Sequence, residues 1–111
     1  MLIFFNDRKL EREFASLKEM TRAYAPEQGK VIARRLLDLQ AAACLADLNA
    51  FPQLRPHELS GKRLGQLAIN LRQPYRLIFR PDHDPLPRKE DGGLDWKQVT
   101  AITLLEVVDY H

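Results

Sequence analysis

The chain has 111 residues, 45% of them hydrophobic and 29% charged, with a formal net charge of +2. That supports one core without metal or disulfide staples and leaves too little chain for two. Its single cysteine, Cys44, excludes an internal disulfide; within "AAACLADL" it reads as a small apolar residue, which points to a reducing, cytoplasmic setting.

The opening run "MLIFF" is cut off by Asn6, Asp7 and Arg8, too short for a signal peptide or a bilayer span, so no membrane partner is expected. Leu2 to Phe5 predicts a first strand, closed by Asn6-Asp7, which suit a helix N-cap. From Asp7 to about Tyr24, Leu10, Phe14, Leu17 and Tyr24 form an apolar stripe at helical spacing. Pro26 opens a second helix, with Val31, Ile32, Leu36 and Leu39 continuing an apolar face to about Gln40. "ACLADLNAF" predicts a further short helical piece before Pro52, and the N-terminal half reads as a helical hairpin.

The second half has period two. In "GQLAINLR" and "YRLIFR" apolar residues alternate with polar ones across a Gln73-Pro74 turn, predicting an antiparallel hairpin with one apolar face and one face that presents arginines. "VTAITLLEVV", residues 99 to 108, predicts an interior strand, apolar in part on both faces. Residues 81 to 97, with three prolines and a Gly-Gly pair, predict a long loop. His83, between Asp82 and Asp84, resembles a metal cluster only in composition; adjacent ligands on a proline-rich loop lack useful spacing, and no metal is expected.

Charge is unevenly spread. Residues 54 to 80 hold Arg55, Lys62, Arg63, Arg72, Arg76 and Arg80 against Glu58 alone, whereas residues 81 to 111 hold seven acids and three bases. A basic centre fits a polyanion footprint, and it equally fits a solvated face with scattered arginines.

Strand, two helices and a strand-rich half containing "HELSGKRLGQLAINLRQPYRLIF" and ending in "EVVDYH" resemble, over most of the chain, the HigB-like branch of the RelE/ParE toxin superfamily. The most specific parts are His57-Glu58-Leu59-Ser60-Gly61 with Arg63 and Gly65, the Tyr75-Arg76-Leu77-Ile78-Phe79 strand, and Asp109-Tyr110-His111. The resemblance implies a single RelE/ParE-like toxin domain over residues 1 to 111, of α+β class: an N-terminal strand and helical hairpin packed on a small, mainly antiparallel twisted sheet. It also implies the toxin half of a type II toxin-antitoxin pair, a metal-independent endoribonuclease acting on ribosome-bound messenger RNA. The implied partners are a helix-turn-helix, HigA-like antitoxin, messenger RNA and the ribosome. Chains of this length carrying "KEDGGLDW" also resemble sequences labelled "killer suppression protein", a label that would name the antitoxin; the β-rich C-terminal half is instead the toxin's pattern.

Cleavage by ribose 2′-OH attack needs a base, an acid for the leaving 5′-oxygen, and cations for the phosphorane. The resemblance implies His57, Asp109, Tyr110, His111 and Arg76 as the catalytic set, without a cofactor. It implies Lys62, Arg63, Arg72 and Arg80 as RNA and phosphate contacts; the arginines among them offer a permanently charged planar fork, and Lys62 would assist through the backbone phosphates. Where the family pattern reads His-X-X-Lys-Gly, this chain has Ser60 before Gly61, and a hydroxyl cannot replace an ammonium, so Lys62 or Arg63 would have to take that role. Each residue has a plainer reading: His57 bonded to a backbone carbonyl, Asp109 and His111 as a solvated strand end, Tyr110 as core filler. Two other functions stay open, a noncatalytic inhibitor acting by protein contact and a degenerate toxin that only binds an antitoxin.

Overall fold

Asp7 ends the first strand and starts the first helix, its carboxylate accepting the Leu10 amide at 2.8 Å. The computed structural model describes residues 1–109 of the chain. The helix expected from Asp7 to Tyr24 is two helices, α1 (Arg8–Glu13) and α2 (Leu17–Tyr24). Phe14 leaves helical geometry at φ −100°, ψ 5°, and Ser16 caps anew, accepting the Glu19 amide at 3.2 Å. The restart rotates Leu17 out of the stripe, 51% exposed, and Met20 is buried in its place.

The third helix, α3 (Pro26–Ala41), returns antiparallel to α2 and buries Ile32 and Leu39. The contact is close because of Gly29: a β-carbon there would lie 2.6 Å from the Thr21 backbone. Ala25 makes the corner at φ 71°, ψ 157°, a region that favours glycine. Phe5, Phe14 and Tyr24 stack edge to face at 5.9 and 6.0 Å, linking the first strand to both short helices. The expected piece before Pro52 is a three-ten turn, Leu45–Ala50, which buries Leu45 and Leu48.

Five strands form one mixed sheet in the order β1-β5-β4-β3-β2: β1 (Leu2–Phe5), β2 (His57–Glu58), β3 (Leu67–Asn70), β4 (Tyr75–Pro81) and β5 (Ala101–Asp109). The α+β class is as expected; β1 runs parallel to β5 and the other pairs are antiparallel. The helices cover one face, where Leu67, Ile69, Leu77, Phe79, Ile102 and Leu104 join the helical residues in the main core. The other face has its own small cluster of Leu59, Ala68 and Ile78, flanked by Leu105 and Val108.

A register shift separates those two sets on β5. Ile78 pairs with Glu106 and Phe79 with Leu104, leaving Leu105 as an extra residue in the strand. Simple alternation would put Ile102, Leu104, Glu106 and Val108 on one side. The bulge instead keeps Ile102 and Leu104 under the helices and turns Glu106 and Val108 to the open face.

The 81 to 97 segment is an ordered strap. Leu86, Leu94 and Trp96 pack on the main core, and the Trp96 indole donates to Glu58 Oε2 at 3.0 Å. His83 has a structural partner: its Nε2 accepts the Thr100 amide at 3.0 Å and so ties the strap to the start of β5. None of the described helices is long and apolar enough to cross a membrane.

Candidate functional site

Alternation and register decide which predicted residues share a surface. His57 on β2 pairs with Ala68, Ala68 with Ile78, and Ile78 with Glu106, so all four lie in one row across the open face. The next row is Asn70, Arg76 and Val108. His57 and Arg76 therefore belong to the same face, and both line a cavity of about 530 Å³ together with Asn49, Phe51, Arg55 and Asn70.

His57 is exposed, and its ring bonds to a backbone carbonyl as one plain reading of the sequence has it: Nδ1 lies 2.8 Å from the Arg55 carbonyl. A carbonyl can only accept, so Nδ1 carries the proton and the neutral ring presents a bare Nε2 lone pair. That tautomer is the one a general base needs. Arg55 reaches this position in left-handed geometry at φ 46°, an uncommon conformation for a side chain of its size.

Arg76 is half-buried; its guanidinium donates to the carbonyls of Pro74 and Tyr75 at 3.4 and 3.2 Å and meets no carboxylate among the described residues. It keeps outward capacity for an anion. Arg63 also serves the open face, donating to Gln66 Oε1 at 3.2 Å and pairing with Glu106 at 3.3 Å. A phosphate at Arg63 would compete with Glu106. The turn presenting Arg63 and exposed Lys62 starts from Ser60, whose carbonyl accepts the Arg63 amide at 3.2 Å, and from Gly61 at φ +62°.

The remaining expected contacts lie elsewhere. Arg72 pairs with Glu27 of α3 at 2.6 Å, and Gln28 bonds both the Arg72 carbonyl and amide, at 3.2 and 2.9 Å, so this arginine helps hold the β3–β4 turn to the helices. Arg80 stands 3.8 Å from Asp82. Asp109 pairs with Tyr75, which places it in the row beyond Leu77 and Val107 on the helix-facing side, across the sheet from Arg76. Tyr110 and His111 lie outside the described residues.

The acidic strap does not cover His57. Its anchor, Glu58, pairs with Leu67 and so faces the opposite side of β2 from the imidazole. Among the described residues no group of three His, Cys, Asp or Glu side chains is gathered as a metal site.

Three members of this surface escaped sequence reasoning. Asn49 and Phe51 sit in a stretch read only as helix and breaker, and Asn70 is the one polar residue in "LAIN", where it passed as ordinary alternation. From below, Arg35 of α3 donates its Nε to the Asn70 carbonyl at 2.8 Å, and burial lowers the pKa of that guanidinium from its ordinary value. No protein-family model matches the chain, and no curated protein matches it.

Proposed function

We propose that the protein is a metal-independent endoribonuclease of the HigB-like, RelE/ParE type, the toxin of a type II toxin-antitoxin pair. The observation that carries the reading is the shared face of His57 and Arg76: an imidazole with its Nε2 lone pair exposed beside a guanidinium without a carboxylate partner among the described residues. In the reaction, Nε2 of His57 takes the 2′-OH proton as O2′ attacks phosphorus. The O2′–P bond forms and the P–O5′ bond breaks, leaving a 2′,3′-cyclic phosphate and a 5′-hydroxyl once an acid protonates the leaving oxygen. Arg76, with Arg55 lining the same cavity, stabilises the phosphorane charge; Arg63 contributes when phosphate displaces Glu106. The acid falls by resemblance to the Asp109-Tyr110-His111 segment. The substrate is messenger RNA on the ribosome, and the silencing partner is a HigA-like helix-turn-helix antitoxin; both follow from the motif resemblance.

Two observations favour a second reading, a noncatalytic toxin-fold protein acting by protein contact. Asp109 is on the other face of the sheet from Arg76, and Arg63 already holds a carboxylate. Induced expression in cells of wild type, His57→Ala, Arg76→Ala and His111→Ala, with growth and messenger RNA cleavage followed together, separates the two. Loss of both cleavage and arrest in the His57 and Arg76 variants supports the enzyme. Arrest without cleavage in wild type supports the binding protein.

A further inference from the structure

The cavity beside His57 is lined by a largely buried amide residue, Asn70. Asn70 is only 8% exposed, and both of its main-chain groups are committed, its amide to the Leu54 carbonyl at 2.7 Å and its carbonyl to Arg35. Its backbone is thus pinned from two sides, while its side-chain carboxamide makes no hydrogen bond among the described residues and lines the cavity. The carboxamide offers a donor and an acceptor side by side to whatever fills the space. The half-exposed Phe51 ring lines the same cavity, as does the exposed amide of Asn49. Arg55 and Arg76 stand at the walls with His57. The volume, about 530 Å³, is that of a small-ligand site.

We propose that this cavity is a nucleobase subsite: Asn70 pairs with the polar edge of a base, Phe51 gives it a stacking face, and Arg55 and Arg76 hold the attached phosphate. The assignment rests on the nuclease reading above and extends it by naming the residues that receive the base next to the scissile phosphate. Nucleobases suit the site because each has adjacent donor and acceptor atoms on its edge and an apolar face of its own. An inorganic anion would use the arginines and leave both the amide and the ring idle.

The test is a titration of the full-length protein with the four nucleoside 5′-monophosphates and, separately, with ribose 5-phosphate, following the Asn70 side-chain amide and neighbouring backbone signals by NMR. At least one monophosphate is expected to shift the Asn70 side-chain signals saturably and to bind ten times or more tighter than ribose 5-phosphate. Asn70→Ala and the more exposed Phe51→Ala should each weaken that binding about tenfold. Equal affinity for ribose 5-phosphate, or unmoved Asn70 signals, overturns the subsite. The outcome is separable from the nuclease reading. Base-dependent binding without RNA cleavage keeps the subsite and removes the enzyme; cleavage whose sequence preference is the same in wild type and both variants keeps the enzyme and removes the subsite.

Discussion

The ring of His57 and the carbonyl of Arg55 are joined by a 2.8 Å hydrogen bond that fixes which imidazole nitrogen is bare. Two residues of a short edge segment thereby set the tautomer that the neutral ring of the proposed base adopts. His57 is exposed and adds nothing to the core, so His57→Gln should fold like wild type, with an unchanged Tm. Its RNA cleavage should fall by about 10² to 10⁴-fold. A His57→Gln protein that cleaves at the wild-type rate removes the imidazole from the mechanism.

Ala25 links α2 to α3 at φ 71°, where a β-carbon is strained by about 1 to 3 kcal/mol. Ala25→Gly should therefore stabilise by about 1 kcal/mol despite the added freedom of the unfolded chain, raising Tm by roughly 4 °C. Ala25→Val should lower it. Thermal melts of the three proteins give the order directly.

Gly29 tests the helix contact from the other side. Its added β-carbon would meet Thr21 Cα and N at 2.6 Å, and these backbone atoms cannot swing away as a side chain would. Gly29→Ala is expected to cost about 1 to 3 kcal/mol in urea unfolding, although alanine is the better helix former. A neutral or stabilised variant contradicts the close α2–α3 packing.

Tyr24 predicts an alkaline dependence. Burial first, then its 2.6 Å hydrogen bond to Glu13 and the charges of Glu13 and Asp7, push the phenol well above its ordinary value. The folded protein holds this proton more tightly than the unfolded chain does. The contribution is therefore complete below about pH 10 and is lost as pH rises above it, first through ionisation of the unfolded tyrosine. Tyr24→Phe should cost about 1 kcal/mol at pH 7, and the gap to wild type should close by about pH 11. Urea unfolding at the two pH values measures it.

Much of the fold was legible because local signals and periodicity agree with it. Pro26 starts α3, the alternation in "LAIN" and "YRLIF" places the hairpin, and β5 is the interior strand that its composition predicted. The break between α1 and α2 was also written in the chain, as Ser16 followed three residues later by Glu19, but the continuous apolar stripe masked it. The bulge at Leu105 was not legible: Ile102, Leu104, Leu105, Val107 and Val108 satisfy either face, so only pairing with β4 decides which way Glu106 and Asp109 turn. For the site, strand alternation sufficed to bring Arg76 to the polar face. The cavity could not be read, because Phe51 and Asn70 lie 19 positions apart and meet only once the segment after the three-ten turn folds along β3.

The central claim is cleavage by 2′-OH attack on a face that carries His57 and Arg76. It is tested most directly by mapping the ends made when the purified protein acts on messenger RNA bound to ribosomes. The account predicts fragments with 2′,3′-cyclic phosphate and 5′-hydroxyl ends, formed by wild type and at least 100-fold more slowly by Arg76→Ala. Intact message from wild type, or fragments ending in 3′-hydroxyl and 5′-phosphate, contradicts it.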